Sequence, residues 1–323
     1  MSYDLQTLKK TSETLARSSY QGVEGVLRFE GLTPGPCVGI TVCTHGNEPS
    51  GLAAAAFLIK HLSEFPLLRG TLYLVLNNIE ATRMYFAAET DEEKRKARYV
   101  DVNMNRLPKD VLGLTDDSRY EIQRVQALNR IWETFTIGFD IHSTTSPTEP
   151  MIISKGKKFD TIAGLIRNFP MDILISNIDE VQLNLPAFAL YGGVETEIPV
   201  FAIETGQHTE QIAFQRAVEA SKALLQNAGM FSCAPHIPNK RYREFIIDDS
   251  ILFPDASFDF VRDFKSYDAV REGDLLAQDD KGREIKAPFD GHLIFPTERR
   301  GESKDISEEV SFLSRPMQIR HVE

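Results

Sequence analysis

Pro36-Cys-Val-Gly-Ile-Thr-Val-Cys43 runs through the polar turn Thr44-His-Gly-Asn-Glu-Pro49 into Ser50-Gly-Leu-Ala-Ala-Ala-Ala-Phe-Leu-Ile-Lys60. The first segment is a short apolar run, as a buried strand is; the last is rich in alanine and leucine, as a helix is. A buried strand feeding directly into a helix is the repeating unit of α/β layer folds. The turn carries His45 and Glu48 at the carboxyl end of the strand, where such folds bind ligands. One neutral imidazole and one carboxylate, completed by a third ligand from elsewhere, make a catalytic zinc site that leaves the fourth position to water. The structural alternative is that Asn47 caps the helix and Glu48 merely sits near its positive end.

Working outward, apolar strands continue to alternate with helical stretches. Residues 1 to about 30 suit an amphipathic helix and a short strand. Thr71–Asn77, Ile137–His142, Met151–Ser154, Met171–Ile175 and Val200–Glu204 have strand character, with helices expected over Asp160–Arg167 and from about Thr209 to Gln226. This pattern predicts an α/β fold with a parallel or mixed sheet flanked by helices over residues 1–235. Near Pro235-His-Ile-Pro-Asn-Lys240 the two prolines suggest a linker. Beyond it, short strands such as Arg243–Ile247 and Asp274–Ala277, separated by turns such as Pro288–Gly291, predict a smaller all-β domain over residues 236–323.

Composition narrows the function classes. A chain of 323 residues with 42% hydrophobic and 26% charged content is ordinary for a globular protein. The net charge of −11 argues against nucleic acid as a partner. No apolar run is long enough to span a bilayer, and residues 1–10 lack the apolar core of a signal peptide. The expectation is therefore a cytoplasmic protein without a membrane partner. Cys37, Cys43 and Cys233 show no Cys-x-x-Cys spacing and suit structural thiols. Glu89–Arg98, acidic and then basic, fits an exposed helix or loop with paired charges.

Further candidates extend the chemistry. His142 ends the apolar run Ile137-Gly-Phe-Asp-Ile-His142 and is the candidate third ligand. Asp140, two positions earlier on the same strand face, could accept the second N–H of a ligating histidine, or be no more than a strand-edge residue. Glu204 closes the strand Val200-Phe-Ala-Ile-Glu204. Beside a zinc-bound water it would act as general acid/base; otherwise it is a turn residue before Thr205-Gly206. Arg98, Asn105 and Arg106 fall in Arg98-Tyr-Val-Asp-Val-Asn-Met-Asn-Arg-Leu-Pro108, which has the look of an ordered loop. One arginine could polarise a carbonyl and an Asn–Arg pair could grip a carboxylate, a bidentate task suited to guanidinium. His208 could line the pocket.

Thr44-His-Gly-Asn-Glu-x-x-Gly51, Arg98-Tyr-Val-Asp-x-x-x-Asn105-Arg106, Asp140-Ile-His-Ser-Thr-Thr145 and Ile203-Glu-Thr-Gly206 together resemble the aspartoacylase/succinylglutamate desuccinylase family, in order, across roughly the first 230 residues. The resemblance implies a zinc carboxypeptidase-like catalytic domain and a C-terminal β domain that narrows the mouth of the site. It implies one zinc ion per chain held by His45, Glu48 and His142, with Glu204 as general acid/base. Arg98 would stabilise the oxyanion, and Asn105 with Arg106 would bind a substrate carboxylate. Two features depart from the pattern. Aspartoacylases carry an arginine about ten residues before the catalytic glutamate, whereas Tyr191-Gly-Gly-Val-Glu-Thr-Glu-Ile-Pro199 has none and places Glu195 and Glu197 there. The tyrosine that the family's β domain supplies has no counterpart in Arg300-Gly-Glu-Ser-Lys-Asp305.

The expected activity is zinc-dependent hydrolysis of the amide bond in a small N-acyl amino acid or related compound carrying a carboxylate. A metallocarboxypeptidase acting on short peptides or cell-wall fragments is the nearest alternative. A non-catalytic metabolite-binding relative ranks below both. The sequence leaves a homo-oligomer open.

Overall fold

In the computed structural model, residues 3–145, 147–157, 159–193, 197–232, 240–296 and 309–322 are described. The expectations for Glu195, for the linker at 235–239 and for Arg300–Asp305 lie outside them. Helix α1 (Leu5–Arg17) and a small hairpin, β1 (Ser19–Tyr20) with β2 (Val23–Glu24), lead into β3 (Val26–Glu30). The βα unit follows as β4 (Cys37–Val42) and α2 (Ser50–Glu64), then β5 (Thr71–Leu76), α3 (Ile79–Ala87) and α4 (Asp91–Lys96). A loop with one short 3-10 turn, Val111–Gly113, leads to α5 (Tyr120–Trp132). Then come β6 (Ile137–Thr144), β7 (Met151–Ser154), α6 (Phe159–Ile166), β8 (Ile173–Ser176), α7 (Ile178–Val181), β9 (Val200–Gln207) and α8 (Gln211–Asn227).

The central sheet is mixed. β5, β4, β6 and β9 run parallel in that order, β3 pairs antiparallel with β5, and β7 pairs antiparallel with β9 before a parallel β7–β8 step. One face is covered by α1, α2, α6 and α8 through Leu8, Leu58, Ile162 and Leu224. The other is covered by α5 and neighbouring loops through Ile122, Trp132, Phe188 and Tyr191. Strands covered on both faces are mostly apolar rather than alternating, as β4 and β5 are.

The strand β10 (Lys240–Ile251) extends this sheet, pairing parallel with β8 through Arg243–Ile246. Its side chains enter three apolar clusters in turn: Tyr242 in the first, Phe245 and Ile247 in the second, Ile251 in the third. Only beyond it do β11 (Asp259–Phe260), β12 (Ala269–Val270), β13 (Leu275–Gln278), β14 (Glu284–Lys286), β15 (Gly291–Ile294) and β16 (Ser311–Ser314) build a smaller core around Phe253, Phe258, Leu276 and Leu293. The last strand, β17 (Gln318–Val322), returns to pair with β10. The expected C-terminal strands are present: β10 lies beside β8 and β17 pairs with β10, β16, β15 and β12 continue the sheet from β10, and β11, β13 and β14 form a separate sheet.

Candidate metal centre and active site

Three parallel strands end together, and their ends carry the candidate residues. β4 delivers His45 and Glu48 just past Val42, β6 carries Asp140 and His142, and β9 carries Glu204 directly opposite His142 in the register. Leaving β4, the chain bends at Cys43, whose φ of 52° is left-handed. Such a backbone is costly for a side-chain-bearing residue and is tolerated where the surroundings fix it; here Asn78 N donates to the Cys43 carbonyl at 3.0 Å. Gly46 follows because nothing larger fits: a Cβ there would meet backbone atoms of Ala81 at 2.2 Å. Asn47 does not cap α2, which has no side-chain cap.

The buried carboxylate of Glu48 lies between the two histidines. His45 Nδ1 is 2.8 Å from Oε1 and His142 Nδ1 is 2.8 Å from Oε2. One ligand atom from each of the three residues lies within 4.8 Å of the others. The far nitrogen of each ring meets an oxygen: His45 Nε2 is 2.9 Å from Asn103 Oδ1, and His142 Nε2 is 3.0 Å from Asp140 Oδ2. Those contacts orient the rings so that both present Nδ1 to the same point, the arrangement that second-sphere oxygens give metal-binding histidines. Asp140 is itself fixed, accepting from Thr41 Oγ1 at 2.7 Å and Thr44 Oγ1 at 2.9 Å. Behind them, Tyr191 OH lies 2.8 Å from Thr41 Oγ1, and Asn77 Nδ2 donates to Thr44 Oγ1 at 2.8 Å.

Electrostatics follow from this packing. Burial opposes charge on Glu48, yet His45, Arg98 and His142 hold it well below the usual carboxylate range. Burial also disfavours an imidazolium at His142, but the flanking Asp140 and Glu48 carboxylates outweigh it and raise its pKa well above the ordinary value. For His45, burial and the Arg98 charge win and keep the ring neutral. Glu204 is pushed up to about 8 by burial and by the nearby Glu48 charge. Its Oε2 is buried with no hydrogen-bond partner among the described residues.

The remaining predicted residues are placed as follows. Arg98 Nη1 donates to Glu48 Oε1 at 2.6 Å, so the loop arginine reaches the same carboxylate as both histidines. Arg106 forms an ion pair with the C-terminal segment: its Nε lies 3.2 Å from Glu309 Oε2, while Glu309 Oε1 accepts from Leu183 N at 2.6 Å. The Asn105 carbonyl accepts from Gln182 Nε2 at 2.7 Å. His208 is electrostatically coupled to Glu48 and Arg98, and burial lowers its pKa. Tyr267, in the turn before β12, places its hydroxyl 3.5 Å from Met151 Sδ, and Met151 pairs with Glu204 across β7 and β9.

Asn103, Thr41, Thr44, Asn77, Tyr191 and Glu309 were not legible as site residues. Thr44 offered a signal as the first residue of the Thr44–Gly51 stretch, whereas Asn103 occupies an unspecified position of the Arg98–Arg106 stretch. The donor set fits a divalent cation of borderline softness: two imidazole nitrogens oriented by outer oxygens, one ionised carboxylate, and beside them the Glu204 carboxyl, whose Oε2 has no hydrogen-bond partner among the described residues.

The catalytic-domain profile of the succinylglutamate desuccinylase/aspartoacylase family matches residues 34–228. The fold is similar to that of succinylglutamate desuccinylase from Vibrio cholerae, at 14% identity and TM-score 0.65, covering 92% of this chain and 88% of that one. It is also similar to murine aminoacylase 3, at 19% identity and TM-score 0.61, covering 90% and 97%. An aspartoacylase family protein from Mesorhizobium loti matches at 19% identity and TM-score 0.58, covering 91% and 89%. None of the curated sequences compared matches the chain.

Proposed function

The chain belongs to the succinylglutamate desuccinylase/aspartoacylase family, and on that premise we propose that it is a zinc-dependent hydrolase cleaving the amide bond of a small N-acyl amino acid or related compound. The observation that carries this is the convergence of His45 Nδ1 and His142 Nδ1 on the two oxygens of buried Glu48, with Glu204 beside His142 on the next strand. The names of the similar structures, a succinylglutamate desuccinylase and an aminoacylase, support an N-acyl amino acid as the substrate class.

His45, Glu48 and His142 would hold one zinc ion. Bound there, zinc supplies Lewis acidity and a water acidic enough to attack at neutral pH. Glu204 accepts the proton of the attacking water and returns it to the leaving nitrogen, a task for which a pKa near neutrality is suited. Arg98 stabilises negative charge developing on the carbonyl oxygen, and Asp140 and Asn103 keep the two imidazoles aimed. Asn105 and Arg106 grip a substrate carboxylate, with Glu309 fixing the guanidinium. The stretch before Glu204 contains Glu197 and no arginine, which favours substrates with a single carboxylate over dicarboxylates. Residues 236–323 form the mouth of the site; Tyr267 and Glu309, both from that segment, support this through their contacts with Met151 and Arg106.

The test is a hydrolysis screen of zinc-loaded protein against N-acetyl and N-succinyl amino acids of neutral, cationic and acidic side chain, together with short peptides. Turnover of N-acyl amino acids with one carboxylate is the expected result. Turnover of peptides alone, or of nothing in the panel, would contradict the proposal.

A further inference from the structure

We propose that Glu121 is the positioning residue for the loop that carries Arg98, Asn103, Asn105 and Arg106. The loop has no helix or strand between Ala97 and Asp110, and Val100 and Asp101 are exposed. A segment of that kind, left to itself, samples many conformations, and each misplacement of its arginines weakens binding and catalysis. Yet three consecutive N–H groups turn inward onto one carboxylate. Glu121 Oε1 accepts from Val100 N at 2.6 Å, and Oε2 accepts from Asp101 N and Val102 N, both at 3.0 Å. Successive backbone amides pointing into a concavity form a nest for an anion, and here the anion is a side chain of the protein.

Glu121 is fully buried in the first turn of α5, where the helix dipole favours its negative charge. The loop returns a bond, with Tyr120 N donating to Asp101 Oδ2 at 2.7 Å. Glu121 Oε1 also accepts from Asn78 Nδ2 at 2.9 Å. Asn78 caps α3 through Ala81 N at 3.0 Å and donates its own N–H to the Cys43 carbonyl at the left-handed bend before His45. One carboxylate thus registers the substrate loop against the turn that bears two of the metal ligands. No amide can replace it. Each oxygen accepts two donors, so whichever way a glutamine is turned, its NH2 faces two N–H groups and leaves them unsatisfied.

The variant Glu121→Gln tests this in the zinc-loaded enzyme, using the N-acetyl amino acid turned over fastest in the screen above. The activity arm rests on the hydrolase proposal; hydrogen–deuterium exchange of the loop does not. Zinc stoichiometry should be unchanged, kcat/KM should fall at least tenfold, and the amides of Val100–Val102 should exchange at least tenfold faster while β4 and β6 keep their protection. Because Glu121 acts through the loop, its effect should shrink in an Arg106→Ala background. Wild-type kcat/KM or wild-type exchange in Glu121→Gln would overturn the assignment, and so would fully additive losses in the double variant, which a merely structural role gives. If the variant does not fold, wild-type exchange decides: protected amides at 100–102 uphold the assignment, and coil-like exchange overturns it. If the wild type hydrolyses nothing in the panel, the exchange comparison alone decides whether Glu121 holds the loop.

Discussion

Two protons set the behaviour of the centre at the scale of single residues. His142 has a folded pKa raised above 6.5, so its stabilising contribution is complete below about pH 6.5 and is lost as pH rises through the raised value. Glu204, raised from 4.5 to about 8, ionises first in the unfolded chain, so between those values folding also weakens as pH rises. Glu48 and Asp140 are shifted downward, and their contributions disappear only in acid. The lowered pKa values of His45 and His208 work the other way below about pH 6.5, where the unfolded chain takes up their protons. Chelator-treated protein should therefore melt at progressively lower temperature from about pH 7 to pH 8, and Glu204→Gln should flatten that slope; a melting temperature that rises over this range would contradict the assignment. A cation displaces the His142 proton, so its apparent affinity should climb about tenfold per pH unit for each proton released, which titration calorimetry in buffers of different ionisation enthalpy measures. In the loaded enzyme, Glu204→Gln should keep the metal and lose about 10²- to 10⁴-fold in kcat. Asp140→Asn should instead weaken metal affinity by about 10- to 100-fold, read by competition with a chromogenic chelator.

Among the elements, the turn between β4 and α2 leaves little room for change. A Cβ at Gly46 would lie 2.2 Å from the Ala81 backbone and 2.5 Å from the Ala97 carbonyl oxygen, neither of which can rotate away. Gly46→Ala should cost about 1–3 kcal/mol of stability and weaken metal binding as well, because His45 is its neighbour; unchanged calorimetric stability would refute the packing argument. The same elements show what a sequence can disclose. β4, β5, β6 and β9 were legible because strands covered on both faces start as short apolar runs, and the helix α2 because alanine and leucine crowd it. The residues at the strand ends stood out because polar groups there break an apolar pattern. Asn103 and Glu121 did not stand out, since their roles depend on which loop folds back on which helix, and nothing local encodes that. Asn47, a plausible cap by residue type, leaves α2 uncapped because the turn is shaped around His45 and Glu48.

At the scale of the whole molecule, β10 decides how separable the two parts are. Its pairing with β8 and the burial of Tyr242, Phe245 and Ile247 in the main cores mean that a chain ending at residue 235 would expose the β8 edge and lose part of two apolar clusters. Such a fragment should lack a cooperative thermal transition and aggregate, which circular dichroism and size exclusion would register; a monomeric fragment that melts cooperatively would show the opposite. Texture in the sequence suggested a boundary near residue 235, but strand pairing across more than sixty positions between β8 and β10 leaves no local trace.

The central claim is that His45, Glu48 and His142 hold one divalent cation between them. Elemental analysis of protein purified without chelator tests it most directly, comparing wild type with His142→Ala. One zinc per wild-type chain and essentially none in His142→Ala is the predicted result. Equal metal content in the two proteins, or none in the wild type even after incubation with zinc, would contradict it.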